Sequence, residues 1–266
     1  MFPKYPSMLD CRKQSVCGNK FFIMIYFLIP AYDEEKNIAK LLHRTIEEMS
    51  KRDKGYHVVL VSDGGQDKTI DIAKTFIPKM PLEILSYSKN QGPGYAFNFG
   101  LKQVFERSKN KDDIIITKEA DNTSSWDIFD LLIQKIDMGF DMALASCYMP
   151  GGRLIHTTLD RKVLSMCANF LIRYCLSLHG IYTFSSFYRA YRVKALKKAY
   201  THYGGNLITE NGFTSVIEIL VKLHRLGMKI VEVPNTLDCS MRMGKSNMKK
   251  LTTSLNYFKL MWNLRR

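Results

Sequence analysis

The chain has 266 residues, 46% of them hydrophobic and 24% charged. This is a globular composition that excludes a disordered polymer and suits one α/β domain of ordinary size. A formal net charge of +14 points to an anionic partner: phosphate-bearing substrates, an acidic membrane surface or nucleic acid.

Residues 1 to about 20 are polar and without period, which predicts a loose N-terminal extension. Phe22–Ile29 is a continuous apolar run, the pattern of a buried parallel strand. It is too short to span a bilayer. Pro30-Ala31-Tyr32-Asp33-Glu34-Glu35 follows it, where a secretory signal would need a small-residue cleavage site. Ile38, Leu41, Leu42, Ile46 and Met49 recur at helical spacing. His57–Ser62 reads as a second strand, Ile70 to Ile77 as a short helix and Leu82–Ser86 as a third strand. A helix over Tyr95–Glu106, a strand over Asp113–Thr117, a helix over Trp126–Ile136 and a strand over Asp141–Ser146 come next. This alternation predicts a mostly parallel sheet covered by helices on both faces. Farther on, Arg161–Leu178 reads as a long apolar-rich helix carrying Arg161, Lys162 and Arg173. Phe213–Leu226 reads as another helix and Met228–Val233 as a strand. With no repeat, low-complexity tract or linker, residues 21–250 are expected to form one domain. Residues 251–266 are expected to form an amphipathic tail, with Leu255, Phe258 and Trp262 among lysines and arginines.

The six cysteines, at 11, 17, 147, 167, 175 and 239, have neither zinc-ligand spacing nor a secreted disulfide pattern, which suits a reducing compartment. Cys167 and Cys175 in the apolar helix read as core or interface residues.

Ligands of such sheets bind beyond the carboxyl ends of the strands, and the polar clusters fall there. Asp63 follows the second strand and precedes Gly64-Gly65. Its carboxylate either accepts from a base or ribose, or caps the helix that starts near Asp67. Asn90, Gly92, Gly94, Ala96, Asn98 and Gly100 form a small-residue loop that lets the chain pack closely under a nucleotide. Glu119 and Asp121 flank Ala120 after the fourth strand. Alternate residues of an extended segment point the same way, so both carboxylates are expected to reach one cation, Mg²⁺ or Mn²⁺, unless they form a solvated acidic loop. The acidic groups after the first, second and fourth strands should therefore meet at one edge.

Taken in order, IPAYDEEKNI, VSDGGQDKT, NQGPGYAFNFG, KEADNTS, YMPGG, SSFYRAYR and RMGKSNMK resemble the successive blocks of glycosyltransferase family two, nearest its dolichyl- and polyprenyl-phosphate mannose synthase branch. The match spans residues 22 to 250. It implies a GT-A fold and an inverting transfer from a nucleotide-diphospho-sugar to a lipid phosphate, by an enzyme peripheral on the cytoplasmic face of a membrane. By position, Pro30, Tyr32, Glu34 and Asp63 would hold the nucleotide, with Asn90 and Gly92 beside it. Glu119 and Asp121 would occupy the metal motif. Arg161 and Ser165 would meet the acceptor phosphate, Arg189 and Arg242 would line the diphosphate and acceptor region, and Lys245 belongs to the last block. Glu119, Thr123, Cys147 and Asn247 depart from the family's usual Asp, Gln, Arg and Lys.

A phosphate acceptor is anionic already and needs no general base, whereas a carbohydrate hydroxyl, the alternative acceptor in polysaccharide assembly, needs one. Glu210 and Glu218 are the candidates for that base. The third reading, a non-catalytic nucleotide-sugar or nucleic-acid binder, is opposed by basic residues that are spread rather than interleaved with aromatics. The tail is expected to seat on a membrane, on its own domain or on a second subunit in a homodimer.

Overall fold

β1 (Ile25–Ala31) carries an apolar side chain at every position but Pro30 and is buried along almost its whole length, as a strand covered on both faces must be. In the computed structural model, which describes residues 23–244, 257 and 259–264, it lies inside a seven-stranded sheet. The chain continues through α1 (Ile38–Ser50), β2 (Tyr56–Asp63), α2 (Thr69–Lys74), β3 (Leu82–Tyr87), α3 (Pro93–Arg107), β4 (Ile114–Thr117), α4 (Phe129–Asp137) and β5 (Met142–Ser146). It then runs through β6 (Arg153–Ile155), α5 (Leu159–Cys175), β7 (Arg189–Arg192), α6 (Val193–His202), α7 (Ser215–Arg225), β8 (Ile230–Pro234) and β9 (Thr236–Asp238). The sheet order is β3-β2-β1-β4-β7-β5-β8, and β6 pairs with β9 in a separate two-stranded sheet.

Strand alternation sorts the core into two layers. Ile25, Phe27 and Ile29 pack with the apolar faces of α1 and α4, while Tyr26 and Leu28 pack with α3, α6 and α7. The expected mostly parallel sheet with helices on both faces is therefore present, with one exception. β7 runs antiparallel between β4 and β5, pairing Thr117 with Arg189 and Leu144 with Arg189 across its two sides. It lies within the motif SSFYRAYR, whose alternation is too short to read as a strand.

That insertion corrects the role expected for Arg189. Its side chain is fully buried, donating to the carbonyls of Val216 at 2.6 Å and Phe184 at 2.8 Å. It ties β7 to α7 from inside the core and does not line the diphosphate region.

α5 is the opposite case. Of its 17 residues only Asn169 and Ile172 are buried. Leu159, Val163, Met166, Phe170 and Tyr174, spaced as one helical stripe, are each at least half exposed. Cys167 is exposed as well, so a core role for it is excluded. Of the C-terminal tail, Leu260, Met261 and Leu264 sit in the core beside α6 and α7, while Trp262 is exposed. The tail is seated on its own domain there; Leu251, Leu255 and Phe258, like residues 1–20, lie outside the described residues. No described helix is long and apolar enough to cross a membrane.

Arg189→Ala removes the guanidinium donor from two buried carbonyls, those of Val216 and Phe184, and opens a cavity, at a cost of about 3 kcal/mol. The melting temperature should fall by roughly 6–12 °C, with nucleotide affinity of the folded protein unchanged. An unaltered melting curve together with lost nucleotide binding would return Arg189 to the diphosphate region.

Candidate active site

The carboxyl ends of β1, β2 and β4 form one edge, and two tight turns shape it. Asp33 after β1 and Asn122 after β4 both have positive φ, 52° and 63°, a conformation that Asp and Asn tolerate better than most residues. The second turn corrects the geometry expected for Glu119 and Asp121. The chain is not extended there; it turns at Ala120 and Asp121. The two carboxyls still lie within electrostatic reach: burial, and then the charge of Asp121, push the Glu119 carboxyl upward.

Asp63 ends β2, buried, and its carboxylate is spent on its own chain. It accepts from Tyr87 Oη at 2.8 Å, Gln91 N at 2.8 Å and Gly92 N at 2.9 Å. It does not cap α2; Asp67 accepts from Thr69 N there. Its geometric role is to fold the loop carrying exposed Asn90 and half-buried Gly92 over the strand ends. Gly64, at φ 66°, makes this possible, since a Cβ there would stand 2.3 Å from Asn90 N. The glycine of the next turn has a different reason from the one expected. A Cβ on Gly94 would meet Glu210 O at 2.0 Å, so it admits backbone rather than a nucleotide. Pro30 and Tyr32 are half-buried at the same edge. The charge of Asp33, then burial, raise the Tyr32 phenol, with Asp63 adding to the effect.

Beside them the charges crowd. The Glu34 carboxyl is pushed up to about 7, chiefly by burial and further by Asp121, although a bond from Asn37 and the charge of Arg242 oppose the shift. Asp121 Oδ1 accepts from Thr123 N at 3.0 Å and Thr123 Oγ1 at 2.7 Å. Its Oδ2 accepts from Arg242 Nε at 2.8 Å, and Arg242 Nη2 completes the ion pair. Glu119 accepts from Ser124 Oγ at 2.8 Å and Phe187 N at 3.2 Å. Among the described residues no three His, Cys, Asp or Glu side chains form a ready cage for a cation. The residues nevertheless fit Mg²⁺ or Mn²⁺. Two hard carboxylates suffice when substrate phosphate and water complete the shell, and a cation would favour the ionised carboxylates that burial, and secondarily the charge of Asp121, disfavour at Glu34 and Glu119. The condition is that Arg242 cedes Oδ2.

Glu119 also borders a cavity of about 100 Å³ lined by Cys147, Tyr148, Ser165, Ser186 and Asn235 among others. Ser165 faces it from α5, and half-buried Arg161 lies one helical turn before Ser165. Burial pushes the Cys147 thiol up to about 11, so it stays neutral. Glu218 is a structural residue, paired with Lys222 at 2.6 Å and accepting from Thr209 N and Glu210 N, each at 2.9 Å. Glu210 accepts from Thr214 Oγ1 at 2.9 Å. Neither is among the residues lining the cavity. Lys245 and Asn247 lie outside the described residues.

Two residues at this edge escaped the sequence reading. Lys118 is buried, its ammonium donating to Ser124 O at 2.7 Å and standing 3.9 Å from the centre of the Tyr188 ring. Burial lowers it to about 8. A lysine ending an apolar strand run was its signal. Asn37 is the other, and it resembles an ordinary helix cap in the sequence.

A family model described as Glycosyl transferase family 2 matches residues 26–199. The polyprenol monophosphomannose synthase of Mycolicibacterium smegmatis is 26% identical over 215 residues, 79% of this chain and 75% of that protein. The dolichol-phosphate mannosyltransferase of Pyrococcus furiosus is 27% identical over 226 residues, 85% of this chain but only 59% of its own length. In structure, the glucosyl-3-phosphoglycerate synthase of Mycobacterium tuberculosis, solved with Mn²⁺, UDP and phosphoglyceric acid, superposes with a TM-score of 0.58 over 89% of this chain and 74% of that one, at 14% identity.

Glu34 titrates near 7 in the folded chain and near 4.5 when unfolded. Folding is therefore favoured by its bound proton below about 4.5, and that contribution is lost as pH rises to about 7. Glu34→Gln cannot ionise, so its melting temperature should fall less than that of the unaltered protein across this window. Equal slopes in thermal scans would show that Glu34 is solvated and ordinary.

Proposed function

The chain belongs to glycosyl transferase family 2, and on that premise we propose that it transfers a sugar, with inversion, from a nucleotide-diphospho-sugar to a polyprenyl or dolichyl phosphate at a membrane surface. The observation that carries this reading is the gathering of Glu34, Glu119 and Asp121 at the carboxyl edge of the sheet, with Arg242 paired to Asp121. Such a site needs cationic and phosphate-bearing ligands together. The names of the mycobacterial and archaeal relatives support the lipid-phosphate acceptor.

The nucleotide would lie along Pro30, Tyr32 and the loop that Asp63 holds. Mg²⁺ or Mn²⁺ on Glu119 and Asp121 would offset charge on the diphosphate leaving group, and the Mn²⁺ and UDP bound by the structural neighbour support that assignment. Arg242, paired with Asp121, would reach the same diphosphate, and Arg161 with Ser165 would receive the acceptor phosphate. An acceptor phosphate oxygen then bonds to the anomeric carbon as the bond to the nucleoside diphosphate breaks. The bonding electrons leave with the diphosphate, and no proton has to be removed first. The arginines lower the repulsion between two anions brought together.

The exposed stripe of α5 supports attachment to the membrane. Leu159, Phe170 and Tyr174 can bury at the acyl boundary, while Arg161 and Lys162 meet anionic headgroups. A second copy of the chain is the competing occupant of that stripe. A carbohydrate hydroxyl as acceptor is favoured by one observation: the cavity beside Glu119 has no Lys, Arg or His in its lining.

Two outcomes test the proposal. Asp121→Ala should lower transfer to polyprenyl phosphate by about 100-fold or more with Mn²⁺ present, read by mass spectrometry of products from a panel of nucleotide sugars. Transfer only to free saccharides would select the hydroxyl acceptor, and full activity of the variant in chelator would remove the cation. Phe170→Asp with Tyr174→Asp should lower co-sedimentation with anionic liposomes about tenfold while leaving circular dichroism unchanged, since both side chains are exposed. Undiminished binding would exclude α5 as the contact, and a dimer that dissociates on these changes would assign the stripe to a second copy.

A further inference from the structure

Asn37 precedes α1 at the position where an Asn side chain ordinarily accepts from a backbone N–H of the first turn. It makes no such bond. Its amide joins other segments. Nδ2 donates to Glu34 Oε2 at 2.7 Å and to Met243 O at 3.0 Å, and Oδ1 accepts from Met243 N at 2.9 Å. Its backbone carbonyl accepts from Asn122 Nδ2 at 3.1 Å. The residue is only 3% exposed, so these bonds are shielded from water and hard to replace.

A primary amide that donates to the C=O and accepts from the N–H of one residue copies the pairing of a strand. It fixes the direction and the register of the chain at residue 243. Arg242, one residue earlier, is thereby delivered to Asp121, whose Oδ2 it occupies. Met243 and Gly244 are exposed and gain no order from burial. Without the amide, holding Arg242 in place would cost the conformational freedom of that segment.

We propose that Asn37 is a positioning residue of the transfer reaction: by seating residues 242–243 it holds Arg242 on Asp121 and so sets how available Asp121 is to a divalent cation. The inference rests on the cation role proposed above for Asp121. Arg242 and a divalent cation are two positive charges competing for one carboxylate, and the tether raises the local concentration of one competitor. The same tether keeps the guanidinium beside the carboxylate edge when the cation takes Oδ2, where the diphosphate needs it. Releasing the segment should therefore move two quantities in opposite directions. Cation binding without nucleotide strengthens, and the rate of transfer falls. A merely structural role for Asn37 would weaken both.

The test measures Mn²⁺ binding by electron paramagnetic resonance in the full chain without nucleotide, and kcat with nucleotide sugar and polyprenyl phosphate. Asn37→Ala is the direct variant. Met243→Pro is the second and leaves Asn37 in place: it removes the N–H that donates to Asn37 Oδ1 together with an exposed methionine side chain, and Arg242, at φ −73° and ψ 128°, already has the extended conformation required before proline. In both, Mn²⁺ affinity should rise about five- to tenfold, with kcat down about tenfold. If the unaltered chain binds Mn²⁺ and the variants bind it equally or more weakly, the positioning role is overturned alone; Met243→Pro decides if Asn37→Ala does not fold. If none of the three binds Mn²⁺ with or without UDP, the cation role of Asp121 fails and the Asn37 proposal with it.

Discussion

The burial of neighbouring carboxyl groups at one sheet edge is the constraint to which the rest of this structure answers. Parallel strands β1 and β4 are direct neighbours, so the segments that follow them are forced side by side. Those segments carry Glu34, Glu119 and Asp121. In water such groups would ionise and drift apart; here, half-buried or buried, Glu34 and Glu119 retain protons more readily than ordinary glutamates. The protein relieves part of the field with its own cations. Arg242 pairs with Asp121 from the solvent side, and buried Lys118 stands behind Glu119, its residual charge favoured by both carboxylates.

The auxiliary two-stranded sheet makes the first of these possible. β9 pairs with β6, a lone bridge joins Leu237 to Ser124, and Asp238 N donates to Thr123 O at 3.1 Å. The chain after β8 is thus led back across the turn that carries Asp121 before it reaches Arg242. Asn37 receives it there. Residues 37, 122 and 243, far apart in the chain, meet at this place through hydrogen bonds.

α5 has the reverse character. Among the described residues it leaves one apolar stripe exposed, adjoining Arg161 and the cavity beside Glu119. Exposed stripes of this size mark surfaces that meet something else. Ser165 lines that cavity from the same helix whose other face is exposed, so the proposed acceptor site and the proposed membrane contact share one helix.

The sequence alone determined the layered α/β order, the edge where the polar clusters collect and the surplus of positive charge. Each is written locally, in apolar runs with strand or helix period and in glycines or acids that follow them. It read Asp63 as a residue of the nucleotide site without indicating that its three acceptor contacts would all be taken by Tyr87, Gln91 and Gly92. It placed Arg189 with Arg242 because both are arginines in motif blocks. Only the tertiary structure separated them, since β7 enters the sheet antiparallel and turns Arg189 into the core, whereas the loop after β9 carries Arg242 to Asp121 across 121 residues of sequence. The pairing of Asn37 with Met243 spans 206 residues. Periodicity reports which face of an element is buried, but not which distant backbone will meet a given side chain; that depends on strand order and the path of connections, which are settled only when the sheet assembles.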